Sequence, residues 1–536
     1  MIIAGLKLTK SGGIAVLRDR RVEICIDFPA GTDVDLDAIP AVLAAHGYAV
    51  DDVAEWVIDG WNGDKNSLIP VRSNGVSAEL TAAGYQDGTV VPEPDQPAVH
   101  GRFDIAGQSR PYASYVHVAS QVAAAYSSSP FGGASATVLV WDDGCFPRLY
   151  RVTEAGRIVG DGALFPLPGH AFALAGQHFG PSHGAAGADA DSDGDPGNAG
   201  RVRSLAAHGR VQGGVLAVLA ELFEEHFEAD SAAARQYRQA VVGCGGTAEP
   251  SHRYVHAFLR DLRSRTAGVA DAHVLASLRS YLGSLLVERL DPATPVNLCF
   301  TGSAALDPQW VSALREHPAV EALWVPPFPD DSGSALGAAA LHLGRDTGLP
   351  SLDWSVARGV AVARRPHVPA DWTVAPMRPE ELARLLLRTG RPALLVQGRA
   401  TVGPLALGGR AVLASAAVGG IDGDVVALCL AEYAEAVFEP GTEDRYGQFE
   451  HRVRPEWTDR IPAAVSPDGT ARVQTVGADD DPILRTILRE FHAWSGVPVV
   501  LGVAAHPYSD VASALLAGGE DTVWSDSVLY RRAYSA

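Results

Sequence analysis

The residue types and spacings that could do chemistry fall into a short series of stretches. Four lie in the first two thirds of the chain: Ser114-Tyr115-Val116-His117-Val118-Ala119-Ser120-Gln121, Gly200-Arg201-Val202-Arg203-Ser204-Leu205-Ala206-Ala207-His208-Gly209, Thr301-Gly302-Ser303-Ala304-Ala305-Leu306, and Pro329-Asp330-Asp331-Ser332-Gly333-Ser334-Ala335-Leu336-Gly337-Ala338-Ala339. The third follows an apolar run, 296–300, and reads as a strand entering a small-residue turn, which lets a backbone approach a nucleotide closely. The fourth is a turn before an Ala-rich helix, whose first N–H groups favour an anion. The last third adds Gln397-Gly398-Arg399-Ala400-Thr401-Val402-Gly403-Pro404-Leu405-Ala406-Leu407-Gly408-Gly409-Arg410, Asp468-Gly469-Thr470-Ala471-Arg472-Val473-Gln474-Thr475-Val476 and Gly496-Val497-Pro498-Val499-Val500-Leu501. Arg399, Arg410 and Arg472 offer planar forks suited to a phosphate; their alternative is a structural role. Small-residue turns are common in any α/β protein, so each stretch taken alone is also plain scaffold.

Charge chemistry is unevenly spread. Lys7, Lys10 and Lys65 are the only lysines among 43 basic residues. Any step that needs an ammonium group must therefore draw on the beginning of the chain. Asp189-Ala190-Asp191-Ser192-Asp193-Gly194-Asp195 opens like a calcium loop, but its twelfth position is Gly200 rather than a bidentate Glu, so a solvated loop is the better reading. His170, His178, His183 and His208 gather loosely around it without ligand spacing.

The elements that must position these residues are short strands and apolar-faced helices. Strands are expected over 2–8, 14–17 and 22–26, joined by Lys10-Ser11-Gly12-Gly13 and Arg18-Asp19-Arg20-Arg21. A second copy appears at 136–141 and 147–152 around Asp142-Asp143-Gly144. Two such hairpins separated by helical material predict an internally duplicated α/β domain of the actin-like ATPase type. Helices are expected over 114–126, 211–228 and 273–290, the last with Leu275, Leu278, Leu282, Leu285 and Leu286 on one face. Residues 180–200 read as a long polar loop. The Pro-rich stretch 346–375, with Arg364-Arg365-Pro366, reads as a linker between a domain over 1–345 and a smaller α/β domain over 376–536.

A chain of 536 residues with a net charge of −20 is too long for one small module and too acidic for generic binding to nucleic acids or anionic membranes. Its five cysteines are odd in number and far apart, which fits a reducing cytoplasm better than a disulfide framework or a structural zinc site. The N-terminus lacks the layout of a signal peptide, and no apolar run is long enough to span a membrane.

Taken in order, the stretches resemble the O-carbamoyltransferases of antibiotic and nodulation-factor biosynthesis over nearly the whole chain. That resemblance implies an actin-like N-terminal domain and a YrdC-like C-terminal domain. It implies that ATP, with Mg²⁺, and carbamoyl phosphate combine to give a carbamoyl-adenylate, whose carbamoyl group then moves to a hydroxyl of a small natural product. It also implies a metal, usually iron, held by histidines of an H-x-x-x-H helix and by aspartates. On this chain those positions are His117, Asp143 and Asp331, with Gln121 in place of the second histidine. Lys10 stands where the family has the histidine of a His-Asp pair and is the candidate catalytic residue beside His117. Arg201, Gly302 and Gly333 fall to phosphates in the N-terminal domain, and Arg399, Arg410 and Arg472 to the C-terminal pocket.

Departures from the pattern concentrate in the C-terminal domain. Thr401 replaces a motif Glu, Leu405 an Arg and Ala411 a Ser, while Gly502-Val503-Ala504-Ala505-His506 stands where N-T-S-F-N is expected. They keep two alternatives open. One is a degenerate family member serving as scaffold or partner in a biosynthetic complex; the other is a repurposed transferase with a different donor or acceptor. The expected partners are the acceptor, carbamoyl phosphate, and either a second copy or a partner enzyme, with no nucleic acid and no membrane.

Overall fold

A computed structural model describes all residues except 10–11, 29–33, 62–67, 86–93, 181–195, 233, 238–247, 291–294, 363–366, 406, 419–422, 506–510, 518 and 534–536. The chain divides into two compact units, Met1–Ser355 and Val356–Ala536.

The first unit is built on two large sheets with one plan, with a small three-stranded sheet (Val34–Asp35, Leu68–Ser73 and Val76–Thr81) beside them. In the first, β1 (Ile2–Lys7), β2 (Gly13–Arg18) and β3 (Arg21–Asp27) form antiparallel hairpins, and β4 (Glu55–Asp59), β5 (Val99–Ile105) and β6 (Gln108–Tyr115) extend it in the order β3-β2-β1-β4-β6-β5. β4 runs parallel to β1, and β6 parallel to β4. In the second sheet, β7 (Ala136–Val140), β8 (Arg148–Val152), β9 (Ile158–Ala163), β10 (Val296–Thr301) and β11 (Val320–Trp324) give the order β9-β8-β7-β10-β11. Here too the hairpins are followed by two parallel neighbours, β10 beside β7 and β11 beside β10. The repeated order is the internal duplication that the two sequence hairpins predict.

Two helices lie between the sheets. α1 (His117–Ser128), which follows the first sheet, is buried along its whole length and packs on β7 and β10. The Ala-rich α5 (Ser334–Gly344), which follows the second, packs across α1 and onto β1, β2 and β4. α1 begins three residues later than the expected 114–126, because Ser114 and Tyr115 still pair with Ile58 and Asp59 in the sheet. It has no side-chain cap; instead the His117 and Val118 N–H groups donate to the Gly84 and Tyr85 carbonyls, at 3.1 and 3.0 Å.

The crossing of α1 and α5 depends on Gly337. A Cβ there would stand 1.7 Å from the Ser120 carbonyl oxygen. Gly337→Ala is expected to lower folding stability by about 3 kcal/mol, the upper end for overpacking a tight core, measurable by urea unfolding.

Outside the second sheet lie α2 (Ala248–Arg265), α3 (Asp271–Glu288) and α4 (Pro308–Glu316). All five leucines of the expected stripe on α3 are buried. Arg279 of α3 forks onto Asp307, which caps α4 through the Gln309 and Trp310 N–H groups. Trp310 in turn stacks on Trp141 at 4.8 Å, fixing the side chain one residue before Asp142.

The second unit carries a ten-stranded sheet with two cores, one on each face. Successive residues of the strand Ala393–Val396 serve them alternately, Leu395 in one core and Leu394 and Val396 in the other. The helices Pro379–Thr389 and Pro482–Ser495 pack side by side, each opening on Pro and ending at a left-handed glycine. Residues 346–375 are divided between the units. Leu349, Leu352 and Asp353 bond to the Gly156, Ser127 and Arg20 backbone, whereas Gly359 and Val362 bond to the Ala400 and Gly398 backbone. No helix among the described residues is long and apolar enough to cross a membrane.

Candidate functional site

The parallel strands of both sheets deliver polar side chains from their carboxyl ends, where open α/β sheets hold ligands. Lys7 closes β1, Asp59 closes β4, and His117 opens α1 just after β6. From the other sheet, Asp142 follows β7, and Asp331 lies in the turn before α5. All five converge.

His117 sits at the centre, fully buried. Its Nδ1 is 2.7 Å from Asp59 Oδ2, and its Nε2 is 3.4 Å from Asp142 Oδ2 and 3.2 Å from Asp331 Oδ1. Lys7, only 1% exposed, donates to Asp59 Oδ2 at 2.9 Å and lies 3.1 Å from His117 Nδ1 and 3.6 Å from Asp331 Oδ1. The Tyr85 hydroxyl donates to Asp142 Oδ2, while its ring lies 4.5 Å from that of His117. The Ser303 N–H donates to Asp142 Oδ1 at 2.8 Å.

The electrostatics follow from two basic groups among three carboxylates. Burial acts to neutralise His117, but Asp59, Asp142 and Asp331 together outweigh it and hold the imidazole well above its ordinary pKa. Burial likewise opposes the charge on Lys7, and Asp331 and Asp59 together raise it nonetheless. Asp59 is held well below the carboxylate range, against its burial, by His117 and Lys7. Asp142 and Asp331 are lowered in the same way, the first chiefly by its bond to His117 and the second chiefly by Lys7. Asp143, whose side chain still reaches solvent, goes the other way: the protein crowded around its carboxyl and the neighbouring Asp142 push it up to about 7.

Among the described residues, His117, Asp142 and Asp331 are the group whose donor atoms, all within 4.8 Å of one another, suit a metal ion. The donor set fits a divalent cation on three counts. Asp59 fixes Nδ1, which leaves Nε2 as the ligating face, the usual carboxylate support for a metal-bound histidine. Nε2 meets two carboxylates, so the place between them takes either the proton that its raised pKa keeps there or a cation that displaces that proton. Gln121 places its amide nitrogen 3.0 Å from Nε2 and leaves Oε1 buried without a partner; turning the amide over offers an oxygen to the same point.

The aspartate in this group is Asp142; Asp143, the residue expected from the sequence, lies next to it and outside the group. The reason is the alternation of side chains past the end of β7. Trp141 points away from the cleft onto Trp310 and Phe165, so Asp142 points into it and Asp143 turns outward again. Asp143 accepts from Ser303 Oγ at 2.6 Å. Lys10 lies outside the described residues. Arg201 is exposed on the helix Pro196–Ala207.

Gly302 and Gly333 serve the backbone around the site. Gly302 has φ +98°, and a Cβ on it would stand 2.2 Å from the Trp141 carbonyl oxygen; at Gly333 it would meet Phe328 O at 2.5 Å. Gly302 alone joins the two turns, packed against Trp141 on one side and donating its N–H to the Pro329 carbonyl at 2.6 Å on the other, whereas Gly333 tightens the turn bearing Asp331. In the second unit Arg399 donates to the Gly359 and Arg358 carbonyls, at 2.9 and 2.8 Å. Arg410 donates to Gln397, Gly409 and Val360 carbonyls, at 2.6, 2.8 and 3.1 Å. Arg472 donates to the Gly447 carbonyl at 2.6 Å. Arg399 and Arg410 thus meet on one segment, 358–360, and Arg472 lies on another strand.

Sequence reasoning missed Lys7, Asp59 and Tyr85. Lys7 and Asp59 each end an apolar strand, and a charged residue at that place is the signal available; nothing local marks Tyr85.

The chain matches the family model described as Carbamoyltransferase N-terminus over residues 95–340 and that described as Carbamoyltransferase C-terminus over residues 384–504. Nodulation protein U of Rhizobium tropici is 37% identical over 570 aligned positions, covering 99% of this chain and 96% of that protein. The 3'-hydroxymethylcephem-O-carbamoyltransferase of Amycolatopsis lactamdurans is 28% identical over 530 positions, covering 93% and 92%. Among solved structures, the activator of the 2-hydroxyisocaproyl-CoA dehydratase from Clostridium difficile with bound ADPNP is 12% identical, with a TM-score of 0.33, covering 65% of this chain and 96% of that one.

Proposed function

The chain belongs to the carbamoyltransferase family and is an enzyme of that class, and from this we propose that it moves a carbamoyl group from carbamoyl phosphate, through a carbamoyl-adenylate, onto a hydroxyl of a small natural product. The observation that carries this reading is His117, fixed by Asp59 on one nitrogen and facing Asp142 and Asp331 with the other. His117, Asp142 and Asp331 would hold a divalent cation, which when bound would supply Lewis-acid polarisation of a carbonyl. Lys7 adds a fixed positive charge beside Asp331 and restrains Asp59, so the imidazole keeps its orientation. Tyr85 and the Ser303 N–H hold Asp142 in place against the same point. ATP belongs, with Mg²⁺, to the adenylation half-reaction, which this reading gives to a YrdC-like second unit.

A second reading is favoured by the arginines of that unit. Arg410 is buried and donates to three backbone carbonyls, so those bonds brace the scaffold rather than a phosphate. With Thr401, Leu405 and Ala411 in place of the family's polar residues, the adenylation step is lost in this reading, and the first unit takes an activated carbamoyl donor made by a partner enzyme.

One assay separates the two. Purified protein with ATP, carbamoyl phosphate and Mg²⁺ is expected to release pyrophosphate and form carbamoyl-AMP. If neither product forms and calorimetry detects no ATP binding, the first reading is wrong. Transfer to a hydroxyl acceptor from supplied carbamoyl-AMP would then establish the second.

A further inference from the structure

The amide of Gln121 has no settled place in the cluster around His117. Gln121 stands one turn after His117 on α1, the spacing that puts both side chains on one helix face. It is only 1% exposed, and its helix is held close to α5, where Gly337 leaves no room for a Cβ beside the Ser120 carbonyl. The amide nitrogen lies 3.0 Å from His117 Nε2, while Oε1 is buried with no partner. A buried polar atom left this way is unfavourable unless something fills the place.

Charge decides which end of the amide faces inward. Nε2 also has Asp331 Oδ1 at 3.2 Å and Asp142 Oδ2 at 3.4 Å. The two amide hydrogens are positive, so a cation among these groups repels them and attracts the oxygen. No donor holds Oε1, so turning the amide over gives up no hydrogen bond at that atom. The spacing agrees. Ligands at right angles on an ion with bonds of about 2.0–2.1 Å stand about 3.0 Å apart, and the three polar neighbours of Nε2 lie at 3.0, 3.2 and 3.4 Å.

The donor set then holds one imidazole nitrogen and three oxygens. Carboxylate and amide oxygens suit Mg²⁺ and Mn²⁺, whereas each added imidazole nitrogen favours ions such as Fe²⁺, Co²⁺ and Zn²⁺. A histidine at 121 would supply a second nitrogen from the same helix face; glutamine supplies an oxygen without adding charge. We propose that Gln121 is the fourth protein ligand of the cation held by His117, Asp142 and Asp331, and that its oxygen sets the site's preference for a hard divalent cation, Mg²⁺ or Mn²⁺. This role rests on those three residues holding a cation, as proposed above.

The test uses the full-length chain stripped by chelator. It is titrated with Mn²⁺, followed by loss of the free ion's electron paramagnetic resonance signal, and separately with Co²⁺, followed by visible absorption. The parent is expected to bind one Mn²⁺, and Asp142→Asn to lose it. Gln121→Met, which keeps the length of the side chain without its oxygen, is expected to weaken Mn²⁺ binding at least tenfold. Gln121→His is expected to shift the ratio of Co²⁺ to Mn²⁺ affinity at least tenfold toward Co²⁺. Affinity rises from Mn²⁺ to Co²⁺ at most sites, so the change in the ratio is the measure. Should Gln121→Met fail to fold, the ratio in Gln121→His decides. Mn²⁺ binding that Asp142→Asn loses but Gln121→Met keeps, or a ratio that Gln121→His leaves unmoved, overturns the ligand role and leaves the three-residue site standing. A parent that binds neither ion overturns both.

Discussion

Lys7→Met is expected to cost about 3–5 kcal/mol of folding stability, because it removes one partner of a buried ionic cluster and leaves the other charges in place. Asp59 is wholly buried and Lys7 nearly so, so water cannot replace the lost ammonium. His117 is then the one cation left in the cluster beside three carboxylates, Asp59, Asp142 and Asp331. Carbamoyl transfer should fall by about a hundredfold or more, since the imidazole loses the charge that keeps Asp59 against its Nδ1. A paired substitution separates the two effects. Lys7→Met with Asp59→Leu removes a cation and an anion together, and is expected to recover at least half of the lost stability while activity stays low. Urea unfolding and a transfer assay from carbamoyl-AMP provide the readouts. Equal stability of Lys7→Met and the parent would mean that the ammonium is solvated rather than buried in the cluster.

The contrast between what the sequence made legible and what it did not is clearest around this lysine. The apolar runs at 2–8, 14–17 and 22–26, punctuated by Gly-containing turns, led directly to β1, β2 and β3, since strand formation there depends on local pattern. The duplication was visible for the same reason. His117 and Asp331 are candidates because both fall on motifs of the family that the chain resembles. Lys7 was passed over as the last residue of a strand, and its role rests on Asp59 and His117, which are far off in sequence and adjacent only after the parallel strands pair.

Asp142 and Asp143 provide the sharper test of the site. The two residues are adjacent, alike in chemistry and both near Ser303, yet only Asp142 reaches His117. Asp142→Asn keeps shape and volume but removes the charge that faces Nε2. It is expected to lower kcat by about 10²–10³-fold, the scale of losing one oriented electrostatic partner at a reacting centre. Metal retained after dialysis should fall in parallel, because one of two carboxylates in the group His117, Asp142 and Asp331 is gone. Asp143→Asn should leave both within about threefold, since its bond from Ser303 Oγ survives with the amide oxygen as acceptor. Measuring the two variants side by side, for metal content and for transfer from carbamoyl-AMP, controls for general disturbance of the turn. The opposite order, with Asp143→Asn inactive and Asp142→Asn active, would mean that Asp143 and not Asp142 faces the chemistry. That outcome would require Trp141 to leave its stack on Trp310, which a change in near-ultraviolet circular dichroism would report independently.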